Sequence, residues 1–173
     1  GQKGATLSSL FYPYGVHYGH NGQLYVADTG NSRIKRMDVT SGGVLGVWGS
    51  YGYTDGNFDW PLDLCTDASN NVYVTDSGQF RGTPPYFGGN RIQKFTDTGT
   101  FIAKWGGFTE GAVDLGYAMP SSIALWPAAS RLYVTDTYHS RLAGTTTAGA
   151  WVGSATGPSD LPLAYPRGIA FSE

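Results

Sequence analysis

Three aspartate–arginine pairs are the polar residues that a search of this sequence for catalytic chemistry meets first. Each pair places a carboxylate a short way along the chain before a guanidinium, and the pairs are Asp28/Arg33, Asp76/Arg91 and Asp136/Arg141. Catalytic residues rarely recur in every copy of a repeat, whereas structural residues do. We therefore interpret the pairs as structural repeat markers, in which the aspartate ends a strand and accepts bonds from turn amides while the arginine bridges to a carboxylate or a carbonyl.

The other residues that could bind a metal or act as a nucleophile are few. His17, His20 and His139 stand at different places relative to the repeated motifs, so they do not predict one shared metal site. Cys65 is the single cysteine, which excludes an internal disulfide, and we expect it to be a buried, inert thiol. No Gly-x-Ser-x-Gly elbow and no Walker loop is present. These residues predict no catalytic residue, no metal, no cofactor and no enzymatic activity.

The elements that must position these residues repeat along the chain. A Tyr-Val strand that ends in aspartate occurs three times, as Leu24–Asp28, Val72–Asp76 and Leu132–Asp136. A proline precedes an apolar segment four times, at Pro13, Pro61, Pro120 and Pro166. Each copy also has an Arg-Ile or Arg-Leu strand and a closing strand that ends near a tryptophan, at Trp48, Trp105 or Trp151; we expect these tryptophans to pack between repeats. Four short strands at a period of about 45 to 50 residues are typical of a β-propeller blade.

These repeats predict an all-β fold, a β-propeller segment of four-stranded antiparallel blades. The predicted blades cover residues 13–57, 58–114 and 115–160, with an inter-blade loop at 1–12 and the first strand of a fourth blade at 161–173. Inner strands are expected near residues 14–18, 62–66, 121–125 and 167–171. Three blades and one strand cannot close a ring, so we expect missing chain or another subunit to complete the propeller.

The sequence resembles the NHL-repeat family of β-propellers. The repeat of that family runs from a proline through Gly-Val-Ala, a Tyr-Val-Ala-Asp strand and Asn-x-Arg-Ile to a closing Trp-Gly. Residues 11–49 match this pattern almost in full, 58–106 match it with an insertion, and 115–153 match it loosely. The resemblance implies the propeller fold but not one function, because such propellers include enzymes, RNA-binding modules and extracellular scaffolds.

One NHL-like family, the peptidyl-hydroxyglycine lyases that finish peptide amidation, resembles the third repeat in particular. In that family the residue after the inner-strand proline is a zinc-binding histidine in several blades. The equivalent residues here cannot replace that ligand set, since they are Tyr14, Leu62, Ser121 and Arg167. Tyr138, however, stands where that family has its catalytic tyrosine. An amidating propeller lyase whose active-site residues lie mostly in missing blades is therefore the first alternative function.

An aromatic insertion distinguishes the second repeat. Residues 78–87 separate two strands of that repeat and include Phe80, Arg81, Tyr86 and Phe87. Aromatic and arginine side chains are enriched at binding hot spots, and a loop inserted between two strands must leave the sheet. We predict that these four residues bind a partner. The alternative is a loop that folds its aromatic side chains back onto its own blade.

Composition narrows the choice of partner. The 173 residues carry 11 Lys+Arg against 13 Asp+Glu, a net charge of -2, which argues against binding to a phosphate backbone. No apolar run is long enough to predict a membrane span. We predict a non-enzymatic scaffold, extracellular or at the cell surface or part of an assembly, that binds a protein, a glycan or further copies of itself, and neither nucleic acid nor membrane. An NHL-type RNA-binding or adaptor module is the second alternative.

Overall fold

A computed structural model describes residues 6, 7, 9–78, 89–107 and 116–171. These residues form three four-stranded antiparallel sheets, and each sheet is hydrogen-bonded in chain order from its first strand to its fourth. The only helices in the described ranges are two single 3-10 turns, at Thr29–Asn31 and Pro127–Ala129. The predicted all-β propeller segment of four-stranded blades is confirmed.

The strand bounds define three blades. Blade 1 consists of β1 (Val16–Tyr18), β2 (Gln23–Asp28), β3 (Arg33–Asp38) and β4 (Val44–Trp48). Blade 2 consists of β5 (Pro61–Thr66), β6 (Val72–Asp76), β7 (Arg91–Phe95) and β8 (Phe101–Gly106). Blade 3 consists of β9 (Pro120–Trp126), β10 (Arg131–Asp136), β11 (Arg141–Thr146) and β12 (Trp151–Ala155). The inner strands are β1, β5 and β9, each at the edge of its sheet.

The hydrophobic core lies between the blades. One cluster joins Tyr25 and Ile34 of blade 1 to Leu64, Val74 and other buried side chains of blade 2. A second cluster joins Tyr73 and Ile92 of blade 2 to buried side chains of blade 3, including Ile123, Leu132 and Val134. β6 is buried along its whole length because both faces of blade 2 are covered, which is why its sequence is an unbroken run of strand-forming residues.

The inner strands differ in part from their predicted positions. β5 and β9 begin at their prolines, and β1 is assigned only from Val16, although Tyr14 still donates its backbone N–H to the Ala27 carbonyl at 3.1 Å. Residues 167–171 form no assigned strand. The reason is physical: no described strand pairs with this segment, and a strand exists only as one member of a hydrogen-bonded ladder.

Trp151 does not occupy the place in its blade that the repeat pattern predicts. Trp48 pairs with Ile34 at the last position of its ladder and Trp105 pairs with Ile92 one position before the end, whereas Trp151 pairs with Thr145 and begins β12. Its structural counterpart in blade 2 is Phe101, which likewise begins the fourth strand. The expectation that Trp151 closes the third repeat is therefore wrong.

Trp48 and Trp105 each pack beneath a turn of the following blade. The β7–β8 turn reaches Trp48 through Gly99, at which a Cβ atom would lie 2.6 Å from the indole, and Gly149 of the β11–β12 turn has the same relation to Trp105 at 2.8 Å. Both glycines also have a positive φ, so the close approach of the indole and the backbone conformation each favour glycine at these positions. The two indoles therefore contribute directly to contacts between blades.

Candidate functional site

The aspartate of each predicted pair is buried and bonded on both oxygens. In blade 2, Oδ1 of Asp76 accepts the backbone N–H of Asp59 at 2.7 Å, and Oδ2 accepts Nε of Arg91 at 2.8 Å. Asp28 and Asp136 repeat both contacts in their own blades, with Phe11 and Arg33 and with Ala118 and Arg141. Burial raises the pKa of Asp76 to about 6, although the Arg91 charge opposes this rise.

The arginine of each pair holds the loop that leads into its blade. The guanidinium of Arg91 donates to the carbonyls of Tyr53, Thr54 and Asn57, at 2.8 to 3.2 Å. Arg33 donates to the Thr6 and Ser9 carbonyls, and Arg141 donates to that of Gly116. All three pairs therefore connect the end of the second strand to the loop before the inner strand. No side chain of these pairs is presented as a free catalytic group.

Blades 1 and 2 add a buried polar group that the sequence analysis did not single out. Lys35 is fully buried, its Nζ donates to the Ser9 carbonyl, and it lies 3.7 Å from Oδ2 of Asp28. Burial lowers the pKa of Lys35. Gln93 takes the equivalent place in blade 2 and donates to Oδ2 of Asp76 at 3.2 Å. The equivalent residue in blade 3 is an alanine, so the polar network around the aspartate differs from blade to blade.

A hydroxyl group directly after each aspartate joins one blade to the next. Thr29 donates to the Pro61 carbonyl at 2.5 Å and Thr137 donates to the Pro166 carbonyl at 2.8 Å. Ser77 makes the corresponding bond to the Pro120 carbonyl. The sequence signal was available, because a serine or threonine follows all three marker aspartates. These bonds place the proline end of each inner strand against the second strand of the preceding blade.

At the proline end of blade 3 a histidine takes the place that Asn31 has in blade 1, where Asn31 donates to Asp28. Asp136, which is fully buried, accepts Nδ1 of His139 at 2.8 Å in addition to its bond from Arg141. An ionised carboxylate only accepts hydrogen bonds, so Nδ1 is the donor and Nε2 of the neutral ring carries the basic lone pair. Tyr138 precedes this histidine; its side chain is 45% exposed, and its ring meets that of Tyr165 edge to face at 5.9 Å.

The positions that the lyase resemblance assigns to zinc ligands do not fit a zinc site. Leu62 is buried and apolar, and Arg167 is a cation. The hydroxyl of Ser121 is bonded to those of Thr137, at 2.7 Å, and Thr135, at 3.0 Å. Across the described ranges no group of three His, Cys, Asp or Glu side chains could hold a metal ion.

A cavity of about 450 Å³ opens on the concave side of the inner strands, at the end away from the prolines. We call it the inner-strand cavity; its lining comprises residues 16–18, 20, 63–66, 123–127 and 169–171. Nε2 of His17 lies 3.0 Å from the Thr66 hydroxyl, so this pair bridges blades 1 and 2. Oδ2 of Asp63 accepts the Ser122 hydroxyl at 2.6 Å and the Ile123 amide at 3.1 Å, so it bridges blades 2 and 3.

Burial controls the ionisation of two groups in this cavity. It lowers the pKa of His17, an effect that the positive charge of His20 reinforces and the negative charge of Asp63 opposes. The His17 imidazole is therefore neutral near pH 7. Burial also raises the pKa of the Cys65 thiol well above its usual range, so this cysteine stays protonated. The sequence analysis did not bring these residues together, because they come from different blades and share no motif.

The predicted partner site lies outside the described residues. Phe80, Arg81, Tyr86 and Phe87 all fall within residues 79–88, so partner binding by these side chains stays a prediction. The predicted blade bounds likewise stay predictions. Within the described ranges, no helix is both long and apolar enough to cross a membrane.

Comparison with curated proteins identifies relatives that are enzymes. No model of a known protein family matches the chain. A probable peptidyl-alpha-hydroxyglycine alpha-amidating lyase of Caenorhabditis elegans is 24% identical over 160 residues, which cover 90% of this chain and 43% of that protein. The peptidylglycine alpha-amidating monooxygenase of Rattus norvegicus is 26% identical over 142 residues, 78% of this chain and 14% of that protein. The chain thus spans less than half the length of either relative.

Solved structures show the same fold. Virginiamycin B lyase from Staphylococcus aureus superposes with a TM-score of 0.61 at 18% identity, over 93% of this chain and 46% of that one. A protein of unknown function from Bacteroides thetaiotaomicron superposes with a TM-score of 0.63 at 17% identity, over 88% of this chain and 40% of that one. At these identities the likeness concerns the fold alone.

The prediction that this chain has no enzymatic activity needs correction. The worm and rat proteins that resemble it over most of its length are both named as enzymes. The sequence alone shows neither a nucleophile beside a base nor a cluster of metal ligands. The contact between Asp136 and His139, which stand three residues apart, forms only when a turn folds one back onto the other. The chain is similar to amidating lyases in sequence and to propeller enzymes in fold.

Proposed function

We propose that this chain forms part of a β-propeller lyase whose reacting groups lie at the proline end of the inner strands. The observation that carries the proposal is the Asp136–His139 hydrogen bond at the end of β10, with the partly exposed Tyr138 next to His139 in the chain. The names of the relatives supply the substrate class, an α-hydroxyglycine at the end of a peptide. The chain covers less than half of the worm relative and of virginiamycin B lyase, which is consistent with further blades beside the three of this chain.

The reaction of that substrate requires a proton acceptor and a proton donor. An α-hydroxyglycine holds a hydroxyl group and an amide nitrogen on one carbon. Removal of the hydroxyl proton lets the C–O bond become C=O while the C–N bond breaks and its electron pair goes to nitrogen. A proton delivered to that nitrogen completes the peptide amide, and glyoxylate leaves. The atoms balance without an oxidant, a reductant or a second substrate.

The side chains at the proline end match these two requirements. Asp136 fixes the His139 ring so that Nε2 is the basic atom, and Nε2 can accept the hydroxyl proton. The exposed Tyr138 phenol is a donor for the amide nitrogen. The buried Arg141–Asp136 bond holds the carboxylate in place, so His139 has a fixed partner. The marker pair of blade 3 therefore positions the base while it keeps its structural role.

Replacement of Tyr138 by phenylalanine tests the proposal. With N-benzoyl-α-hydroxyglycine as substrate and the protein expressed from its complete gene, we expect Tyr138→Phe to lower kcat/KM by about 100-fold or more, because it removes the proton donor alone. Tyr12→Phe is the control, since it removes an exposed phenol from the loop that precedes blade 1. Its kcat/KM should stay within about threefold of the parent value. Equal activity of Tyr138→Phe and the parent protein would overturn the proposal.

We infer that the repeats are of the NHL type, on the strength of the proline, Tyr-Val-Asp and Arg-Ile pattern. Binding of a protein, a glycan or a second copy through residues 78–87, an extracellular or cell-surface location, and the absence of nucleic-acid and membrane contact also stay predictions. None of them is incompatible with a lyase, because a rigid propeller can carry a reactive rim and a binding loop at different places.

A further inference from the structure

The inner-strand cavity is distinct from the reacting groups proposed above. Tyr138 donates its backbone N–H to the Ala118 carbonyl, which lies before Pro120, whereas the cavity is lined by the later part of β9 and by Trp126 and Pro127. The seven residues of β9 extend about 20 Å from the proline end to the end that lines the cavity. The cavity is therefore a second location, at the opposite end of the inner strands.

We propose that the inner-strand cavity is a binding site for a flat aromatic group that carries no negative charge. The ligand is a small aromatic molecule. The inference does not depend on the lyase proposal, since it rests on other residues.

An aromatic wall forms one side of the cavity. The rings of Trp126 and Phe171 are stacked at an interplanar angle of 27° with 6.3 Å between their centroids, and Tyr133 meets Phe171 at 5.5 Å. Trp126 and Phe171 keep 41% and 40% of their surface exposed. Aromatic rings left open on the wall of a cavity favour a planar apolar ligand, because stacking adds to the burial of apolar surface.

The opposite side of the cavity is also apolar. Val16 and Tyr18 of β1 are 60% and 62% exposed and face the cavity across the inner strands. The strand of blade 3 contributes only a methyl group at Ala124, and residue 170 of the next segment is likewise an alanine. Small side chains at these two positions leave the volume open, and larger ones would fill it. Replacement of either alanine by a larger residue therefore tests directly whether a ligand binds in the cavity.

The charges around the cavity select against an anion. Asp63 lies in the lining, and the described residues of the lining include neither lysine nor arginine. Besides His20, the polar groups there include three that are neutral near pH 7, namely the His17 imidazole, the Thr66 hydroxyl and the Cys65 thiol. A ligand carboxylate would enter a partly desolvated space next to a carboxylate without gaining a lysine or arginine partner. A neutral or cationic aromatic group avoids this cost.

A set of three probes with the same ring tests both parts of the proposal. Benzyl alcohol, benzylamine and phenylacetate share a phenyl group and differ in charge. We expect the first two to shift the Trp126 indole N–H resonance in a saturable way, in ¹H–¹⁵N spectra of the complete protein at pH 7. Phenylacetate should bind at least about tenfold more weakly. The indole resonances of Trp48 and Trp105, whose nitrogens are buried, should stay unshifted.

Two variants assign the binding to the cavity. Ala124→Leu places a larger side chain in the cavity and should abolish the shifts, whereas Ala148→Leu makes the same change at an exposed turn and should leave them intact. If Ala124→Leu fails to fold, Trp126→Ala is the second variant; its effect is followed by saturation transfer to the benzyl alcohol protons, which should disappear. Tighter binding of phenylacetate, unchanged binding in Ala124→Leu and Trp126→Ala, or no binding of any probe would each overturn the proposal.

Discussion

At the scale of single residues, the buried charged side chains of these blades mainly hold backbone groups of neighbouring loops in place. Each marker aspartate binds a backbone N–H with one oxygen and an arginine with the other, and each arginine also binds carbonyls of the loop that precedes its inner strand. The chemistry differs only where a blade departs from this scheme. In blade 3, His139 joins Asp136, and in blade 1, His17 extends towards blade 2.

Arg91→Met tests the value of one buried pair. Removal of the guanidinium leaves the fully buried Asp76 without its charge partner and frees three loop carbonyls, so the free energy of unfolding should fall by about 3 to 5 kcal/mol. Lys104→Met is the matched control because the Lys104–Asp55 pair is about half exposed; its effect should stay below about 1 kcal/mol. Denaturant unfolding of both variants measures the difference. Similar losses in the two variants would contradict the structural role of the pair.

The neutral state of His17 predicts a dependence of stability on pH. Because burial lowers its pKa in the folded protein, the unfolded chain binds more protons at this residue below about pH 6.5. The contribution of His17 to stability should therefore fall as pH drops from 7 to 6, whereas the raised pKa of Asp76 acts in the opposite direction in parent and variant alike. Stability should thus fall more in the parent protein than in His17→Gln. The measurement is the midpoint of thermal unfolding of both proteins at the two pH values. An equal fall in the parent and in His17→Gln would show that His17 does not carry the effect.

At the scale of elements, the inner strands are held in place by hydrogen bonds that cross from blade to blade. Thr29 and Ser77 bind the proline carbonyl of the following inner strand, and Asp63 of β5 binds β9 through Ser122 and Ile123. These bonds fix the spacing of β1, β5 and β9. They therefore set both the width of the inner-strand cavity and the position of the proline-end rim.

Thr29→Val tests a bond between blades with little change in side-chain volume. The variant removes the hydroxyl that donates to the Pro61 carbonyl at 2.5 Å, so unfolding should become easier by about 1 to 2 kcal/mol. Thr40→Val, in the exposed β3–β4 turn, should change stability by no more than about 0.5 kcal/mol. Denaturant titration followed by tryptophan fluorescence measures both. A neutral Thr29→Val would show that the hydroxyl does not hold the blades together.

At the scale of the whole molecule, the sequence predicts the features that repeat in every blade and does not predict contacts between residues that share no motif. The blades, the inner-strand prolines and the marker pairs could be read because the same residue types return in each copy. Trp151 was misplaced because residue type alone does not reveal that it begins β12. The inner-strand cavity could not be predicted, since His17, Asp63 and Trp126 share no motif and meet only when three blades stand side by side. The Asp136–His139 contact was missed although it follows the repeat: His139 stands where blade 1 has Asn31, which donates to Asp28 in the same way.

The central claim, that this propeller carries lyase chemistry at the proline end of its inner strands, is tested most directly by measuring product. The protein expressed from its complete gene is incubated with N-benzoyl-α-hydroxyglycine, and benzamide and glyoxylate are quantified over time. The account predicts equal amounts of both products, at a rate above that in buffer that His139→Gln and Tyr138→Phe each reduce by about 100-fold or more. A folded protein that forms neither product faster than buffer does, or variants that keep the parent rate, would contradict it.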